Sequence, residues 1–377
     1  MSPSTGPRPA RRYRDDGKPA RRLTEVQARQ RDMFLGSIED GSYHWEIVPV
    51  CLCGSGTVLS VSEKDRFGIP VGVVLCGTCG LLRTSPRLAA ENLPEFYDRD
   101  YHALHMGIAQ PKPTTALFRT GQGSAIFDVI RPYLAPGPLV VAEIGAGVGG
   151  VLREFGEAAG RDGRVAELIG CEYAQAYAEV AREAGTDVRQ GGVEALVGMP
   201  KPDVLIMSHV LEHFADPVAE LARIRTLIRP ETLVYVEVPG LMTLHSKAQY
   251  EYDLLQYLTL AHTYHFTLAT LTDVMRRAGF RLLVGDEEVR SVFRDEGSES
   301  ADEARVRDSL EAARVTRYLI SLDRSPRVRV RRVTLHIAHG TKQSLKAAVR
   351  TLIGDDGVEI VRRLRRRRSN RRGRPDG

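Results

Sequence analysis

Residues 140–150 read Val140-Val141-Ala142-Glu143-Ile144-Gly145-Ala146-Gly147-Val148-Gly149-Gly150. An apolar run ends in a glycine-rich turn that opens an amphipathic stretch. This predicts a buried strand, a tight turn and a helix whose first amide groups face a ligand. Gly145, Gly147 and Gly150 also satisfy the dinucleotide spacing G-x-G-x-x-G. Glu143 tips the reading: a carboxylate two residues before the first glycine would face a ligand's ammonium group and would repel a pyrophosphate.

Outward from this turn, apolar runs alternate with amphipathic stretches. Strands are predicted at Leu139–Ile144, Glu167–Glu172, Val204–Ser208, Leu233–Val238 and Phe280–Val284. Helices are predicted at Gly150–Ala158, Ala176–Ala184, Pro217–Ile228 and Leu268–Ala278. The alternation predicts an α/β fold, a mostly parallel Rossmann-like sheet with helices on both faces. A second acidic strand end, Glu172-Tyr173, suits a ribose diol, with Tyr173 against an adenine ring.

The chain has 377 residues, room for two or three domains, and a net charge of +5. That charge is uneven. Residues 1–31 hold nine Lys/Arg against Asp15, Asp16 and Glu25, and residues 359–377 hold nine Arg against Glu359 and Asp376. The ends together carry +13, leaving −8 for residues 32–358. An acidic body is not expected to bind nucleic acid. No run approaches the ~20 apolar residues of a membrane span, and no secretory leader is visible, so a cytoplasmic protein is expected. Six segments follow: 1–44 a disordered basic arm, 45–90 a cysteine module, 91–138 a helical lid or linker, 139–285 the α/β domain, 286–358 a short α+β extension and 359–377 a basic tail. In the extension, Glu299–Leu322 and Lys342–Ile353 read as helices and 327–338 as strand. The tail permits weak contact with an anionic membrane.

Four of the five cysteines, Cys51, Cys53, Cys76 and Cys79, fall within 29 residues. In a chain expected to be cytosolic such clustering points to metal rather than disulfides. Four thiolates on two knuckles predict a closed, structural Zn2+ site, with Gly54 and Gly80 in the knuckle turns.

Five motifs occur in order: E-I-G-A-G-V-G-G, the acidic E-Y, P-D-V-L-I-M-S-H-V-L-E-H-F-A-D-P, V-Y-V-E-V-P-G and H-T-Y-H-F-T-L-A-T-L-T-D-V-M-R-R-A-G-F. Over about 139–285 they resemble the class I S-adenosylmethionine-dependent methyltransferases. The resemblance implies S-adenosylmethionine as cofactor, held by Glu143, Gly145, Gly147, Gly149, Glu172, Tyr173, Val193, Ser208 and His209. Many relatives carry an Asp near the adenine; here Gly192 stands there, which would leave adenine contacts to Gly192, Val193 or Glu194. The cysteine module, with Cys79-Gly80-Leu81-Leu82-Arg83-Thr84-Ser85-Pro86-Arg87 and the tyrosines Tyr97 and Tyr101, resembles a narrower zinc-containing group that modifies sugars and natural products. It implies a small-molecule, sugar or glycan acceptor. Methyl transfer requires an oriented acceptor and, for a hydroxyl or acidic carbon, a base. The candidates are His213, Glu212, His262 and His265. An RNA methyltransferase with a zinc module and an NAD-dependent oxidoreductase are the alternatives.

Overall fold

The computed structural model describes residues 9–297, 308–326, 328, 330 and 331. In chain order the N-terminal half holds α1 (Glu25–Glu39), β1 (Trp45–Glu46), β2 (Val58–Ser62), β3 (Val73–Cys76), β4 (Leu82–Thr84), β5 (Arg87–Leu88), α2 (Leu93–Arg99), α3 (Tyr101–Met106) and α4 (Gln122–Ile130). There follow β6 (Leu139–Ile144), α5 (Gly150–Arg161), β7 (Ala166–Glu172), α6 (Gln175–Glu183), β8 (Asp187–Gln190), β9 (Val204–Ser208), α7 (Pro217–Leu227) and β10 (Leu233–Glu237). Last come α8 (Leu254–Tyr257), β11 (Tyr264–His265), α9 (Leu268–Arg277), β12 (Phe280–Gly285), β13 (Arg290–Asp295) and α10 (Asp308–Arg324).

The large sheet has seven strands in the order β12-β13-β10-β9-β6-β7-β8. Neighbours from β8 to β10 pair in parallel, and β13 runs antiparallel between β10 and β12. Strand order reverses between β6 and β9, and ligands of open α/β sheets bind at the carboxyl ends of such strands. Side chains alternate across the sheet: Val141, Val204 and Ile206 pack with Phe127 and Phe155 on the α4/α5 face. Ala142, Leu205 and Met207 pack with Ile224 and Val274 on the α7/α9 face. Burial on both faces is why these strands are almost wholly apolar.

The α/β domain extends past residue 285. Its seventh strand is β13, whose Val292 and Phe293 are fully buried. R-S-V-F-R-D shows too few apolar residues to read as strand; pairing with β10 and β12 supplies what its composition does not. β8 also went unpredicted, because D-V-R-Q has one apolar residue.

Residues 9–44 are not disordered. Helix α1 starts at a capping box in which Thr24 Oγ1 accepts from Gln27 N–H while Gln27 answers the Thr24 backbone. Phe34 is fully buried, with ring contacts to Tyr43, Trp45 and Phe96. Tyr13 is buried and donates to Asp323 on α10 at 2.8 Å. Composition misled here because a few well-placed apolar anchors hold an otherwise polar arm. Phe34→Ala is expected to cost about 3–5 kcal/mol of unfolding free energy, read by denaturant titration; a neutral change would mean an arm without a core.

The cysteine module is not a free-standing unit. Its sheet runs β11-β4-β3-β2, so its edge strand comes from residues 264–265. Asp65, fully buried, accepts N–H bonds from Phe67 and Ile69 and, across the molecule, from Leu260 at 3.0 Å. Helix α10 seats on the second knuckle: a Cβ at Gly80 would lie 2.9 Å from α10 backbone atoms. Of the predicted strand 327–338, Val328, Val330 and Arg331 are helical. The remainder of that strand, residues 299–307, the helix predicted at 342–353 and the basic tail lie outside the described residues. Among the described residues no helix is long and apolar enough to cross a membrane.

Candidate active site

A cavity of about 880 Å³ opens at the carboxyl ends of β6, β7 and β9, at the order reversal. Gly145, Gly147 and Gly149 adopt left-handed φ values of 71°, 55° and 71°, which lets the chain turn sharply out of β6. The Gly145 and Ala146 N–H groups donate to Cys171 O at 2.9 and 3.0 Å, and Gly147 N–H donates to Glu172 Oε2 at 2.9 Å. Glu172 Oε1 accepts from Ala174 N–H at 3.0 Å. The carboxylate is thereby locked facing the cavity, and burial pushes its pKa up.

Gly145, Gly147, Glu172, Tyr173, Val193 and His209 line the cavity as predicted. Glu143, Gly149 and Ser208 do not. Gly149 caps α5. Ser208 is fully buried and its Oγ accepts from Gln122 Nε2 at 2.7 Å. Glu143 is fully buried and off the cavity wall. The alternation of β6 turns it into the protein beneath the glycine turn. Burial pushes Glu143 up to about 8, with Arg119 opposing. The folded chain therefore holds a proton on Glu143 that the unfolded chain, with an ordinary value of 4.5, has lost. Stability is full below the unfolded value and falls as pH rises toward 8. Glu143→Gln is expected to flatten the fall in melting temperature between about pH 5 and 8; an unchanged slope would place the effect elsewhere.

The glycine at 192 has a local reason. A Cβ there would lie 2.3 Å from Tyr173 Oη, so an Asp at this position would displace Tyr173. Tyr173 in turn stacks on Tyr97, centroids 6.3 Å apart at 21°. Glu194 folds back to accept from Gly192 N–H at 2.7 Å.

Also on the cavity wall, the L-E-H segment forms a 3-10 turn, Leu211–His213, rather than opening a helix; α7 starts later, capped by Asp216. His209 takes a left-handed φ of 59° and its N–H donates to Glu237 O at 2.7 Å. The turn brings Glu212 and His213 against His262: Glu212 Oε1 lies 3.9 Å from His213 Nε2 and 4.0 Å from His262 Nε2. His213 Nδ1 lies 2.8 Å from Ala261 O and 3.0 Å from Tyr97 Oη. Facing a carbonyl, Nδ1 carries the proton, and Nε2 is left with a lone pair. Burial lowers the pKa of His213 and pushes that of His262 far down, so both rings are uncharged at neutral pH.

His265 does not join them. It is fully buried in β11, opposite Leu82, off the cavity wall, and burial pushes it down to about 3. In H-T-Y-H the two histidines are three residues apart, and the two-residue strand between turns directs only His262 to the cavity.

Several cavity residues were not predicted. Arg119 and Gln122 precede and open α4; Arg119 donates to Ser208 O at 3.3 Å, and Gln122 bridges Ser208 and Glu237. His102 and His105 on α3 also line the wall, His102 stacked on Tyr177 with centroids 3.6 Å apart. Their i, i+3 spacing in Y-H-A-L-H-M was the available signal, since it sets both on one helix face. Tyr97 and Tyr101, which the sequence does single out, stand edge-on to His213, each 5.4 Å from its ring.

The four cysteines converge on one point. Cys51 Sγ lies 3.6 Å from Cys79 Sγ, and Cys53 Sγ lies 3.7 Å from Cys76 Sγ. Tetrahedral zinc with Zn–S bonds of about 2.3 Å spaces its sulfurs by roughly 3.8 Å, so the donor set fits that metal. Gly54 N–H donates to Cys51 O at 2.8 Å and Gly80 N–H to Cys76 O at 3.0 Å, closing the two knuckles.

Residues 118–284 match a family model described as a methyltransferase domain. No curated protein sequence matches the chain. Among solved structures it is similar to human N-acetylserotonin methyltransferase in complex with SAM, at 15% identity, 48% of this chain, 54% of that one and TM-score 0.39. It is similar to the mitomycin 7-O-methyltransferase MmcR at 20% identity, 48% and 56% coverage and TM-score 0.36. An Aquifex aeolicus SAM-dependent methyltransferase matches at 12% identity, 49% and 98% coverage and TM-score 0.36. The chain spans about half the length of the first two. Residues 118–284 are thus similar to a methyltransferase domain, and they hold the parallel-rich sheet and the glycine turn described above.

Proposed function

We propose that the protein methylates a small acceptor of sugar or glycan type, with S-adenosylmethionine as methyl donor. The observation that carries this is one cavity lined by two chemically different groups: Glu172 with the glycine turn, and Glu212 with His213 and His262. The bound cofactor supplies an electrophilic methyl group. Glu172, aligned by Gly147 and Ala174, accepts from the ribose hydroxyls, and Tyr173 covers the adenine side. The Tyr97–Tyr173 stack closes over the cavity and excludes water. The acceptor's nucleophilic oxygen or carbon gives up its proton to the imidazole cluster, where the His213 Nε2 lone pair is best presented. Four of the cavity's charged side chains are acidic (Glu172, Glu212, Asp216 and Glu220) against Arg119, which disfavours an anionic acceptor. Incubation with S-adenosylmethionine and a panel of glycosides, read by mass gain of a methyl group, tests the reading. Salt-dependent RNA affinity that survives removal of the basic ends would favour RNA instead.

The same reading assigns zinc to Cys51, Cys53, Cys76 and Cys79 as a structural ion with no part in the chemistry. Because β11 ties this module to the His262 segment, chelation is expected to lower the melting temperature and turnover while S-adenosylhomocysteine affinity changes little. Equal loss of both would mean that the module supports the cofactor site as well.

A further inference from the structure

Glu212 is only 1% exposed, and neither of its oxygens has a hydrogen-bond donor. A buried carboxylate left so is costly, and proteins resolve the cost by pairing it or by coordinating a metal. Three imidazoles surround it without reaching hydrogen-bond distance: His209 Nδ1 at 3.5 Å, His213 Nε2 at 3.9 Å and His262 Nε2 at 4.0 Å. A gap of 3.5–4.0 Å separates them from it. The bond from His213 Nδ1 to Ala261 O at 2.8 Å is the outer hydrogen bond that metal-ligating histidines characteristically make, fixing the tautomer and aiming Nε2.

We propose that Glu212, His213 and His262 bind a divalent first-row cation on the cavity wall. Their ligand atoms lie within 4.8 Å of one another. Metal bonds of about 2.0–2.2 Å at tetrahedral angles space their donors by roughly 3.3–3.6 Å, so the pairs at 3.9 and 4.0 Å need contract by only about 0.5 Å. Two imidazoles and one carboxylate select zinc, iron(II), cobalt(II) or nickel(II) over magnesium and calcium. Three protein ligands leave positions open to the cavity, and these suit paired acceptor oxygens, such as vicinal hydroxyls or a hydroxyl beside a carbonyl. The inference thus deepens the acceptor reading above, on which it rests. With the cation bound, the His213 lone pair is spent as a ligand. A cation held there would acidify a bound hydroxyl.

The test uses the full chain with zinc in its cysteine site, titrated with Co2+. The expected result is uptake of a further equivalent with a visible absorption band that lacks thiolate charge transfer. Glu212→Gln and His262→Ala are each expected to weaken that uptake at least ~10-fold while zinc content stays the same. S-adenosylhomocysteine titration of both variants confirms an intact cofactor site. Absence of the band in the parent protein, or its persistence unchanged in Glu212→Gln, would overturn the proposal. Because the readout needs neither acceptor nor turnover, its failure leaves the methyl-transfer reading standing, and failure of that reading shows separately as absent methyl transfer.

Discussion

Glu172→Ala is expected to abolish measurable S-adenosylhomocysteine binding in a calorimetric titration. The parent carboxylate accepts from Gly147 and Ala174 N–H groups and faces the cavity where a ribose diol would donate to it. Two hydrogen bonds to a charged group contribute about 1.5–3 kcal/mol each, so their loss weakens binding at least ~100-fold. The substitution acts twice, because it also frees the Gly147 amide and loosens the turn that a ligand must meet. Glu172→Gln separates the two effects: an amide still accepts from Gly147 but accepts only one ribose hydroxyl, so it should fall between the parent and Ala. Micromolar binding retained by Glu172→Ala would remove the cofactor site from this part of the cavity.

His213→Ala is expected to lose turnover by about 10²–10⁴-fold while S-adenosylhomocysteine affinity stays within a few-fold of the parent. His213 is held by Ala261 O and Tyr97 and presents Nε2 toward Glu212. Glu212→Gln should behave alike, since Glu212 is the group that all the surrounding imidazoles face. His265→Ala provides the contrast: off the cavity wall and packed against Tyr257 and His262, it should cost stability with little direct effect on the chemical step. Full activity of His213→Ala on a methylated acceptor would defeat the assignment of the proton to this cluster.

The motifs read most clearly where local chemistry demands particular residues. A sharp exit from β6 needs left-handed φ values, and glycines mark it. A buried parallel strand needs apolar residues on both faces, so β6, β7, β9 and β10 stand out. A tetrahedral thiolate site needs four cysteines on two short knuckles, and their spacing is visible without any structure. The turn and the strands are constraints satisfied within a few residues of chain, and the cysteine set within 29, which is the range over which a single sequence speaks.

What the sequence by itself determined, then, is the α/β class, the glycine turn, the strand-end Glu172 and the grouping of the cysteines. The tertiary structure decided the rest, because it depends on contacts between residues far apart in the chain. Only pairing with β10 makes β13 a strand, and only anchors such as Phe34 and Tyr13 order the basic arm. Strand alternation buries Glu143 beneath the turn that it was expected to serve. The two residues of β11, recruited as an edge by the cysteine module, send His262 to the cavity and His265 away from it. Proximity of Glu212, His213 and His262 spans some 50 residues, and no periodicity records it; the sheet and the cysteine module bring them together by packing one on the other.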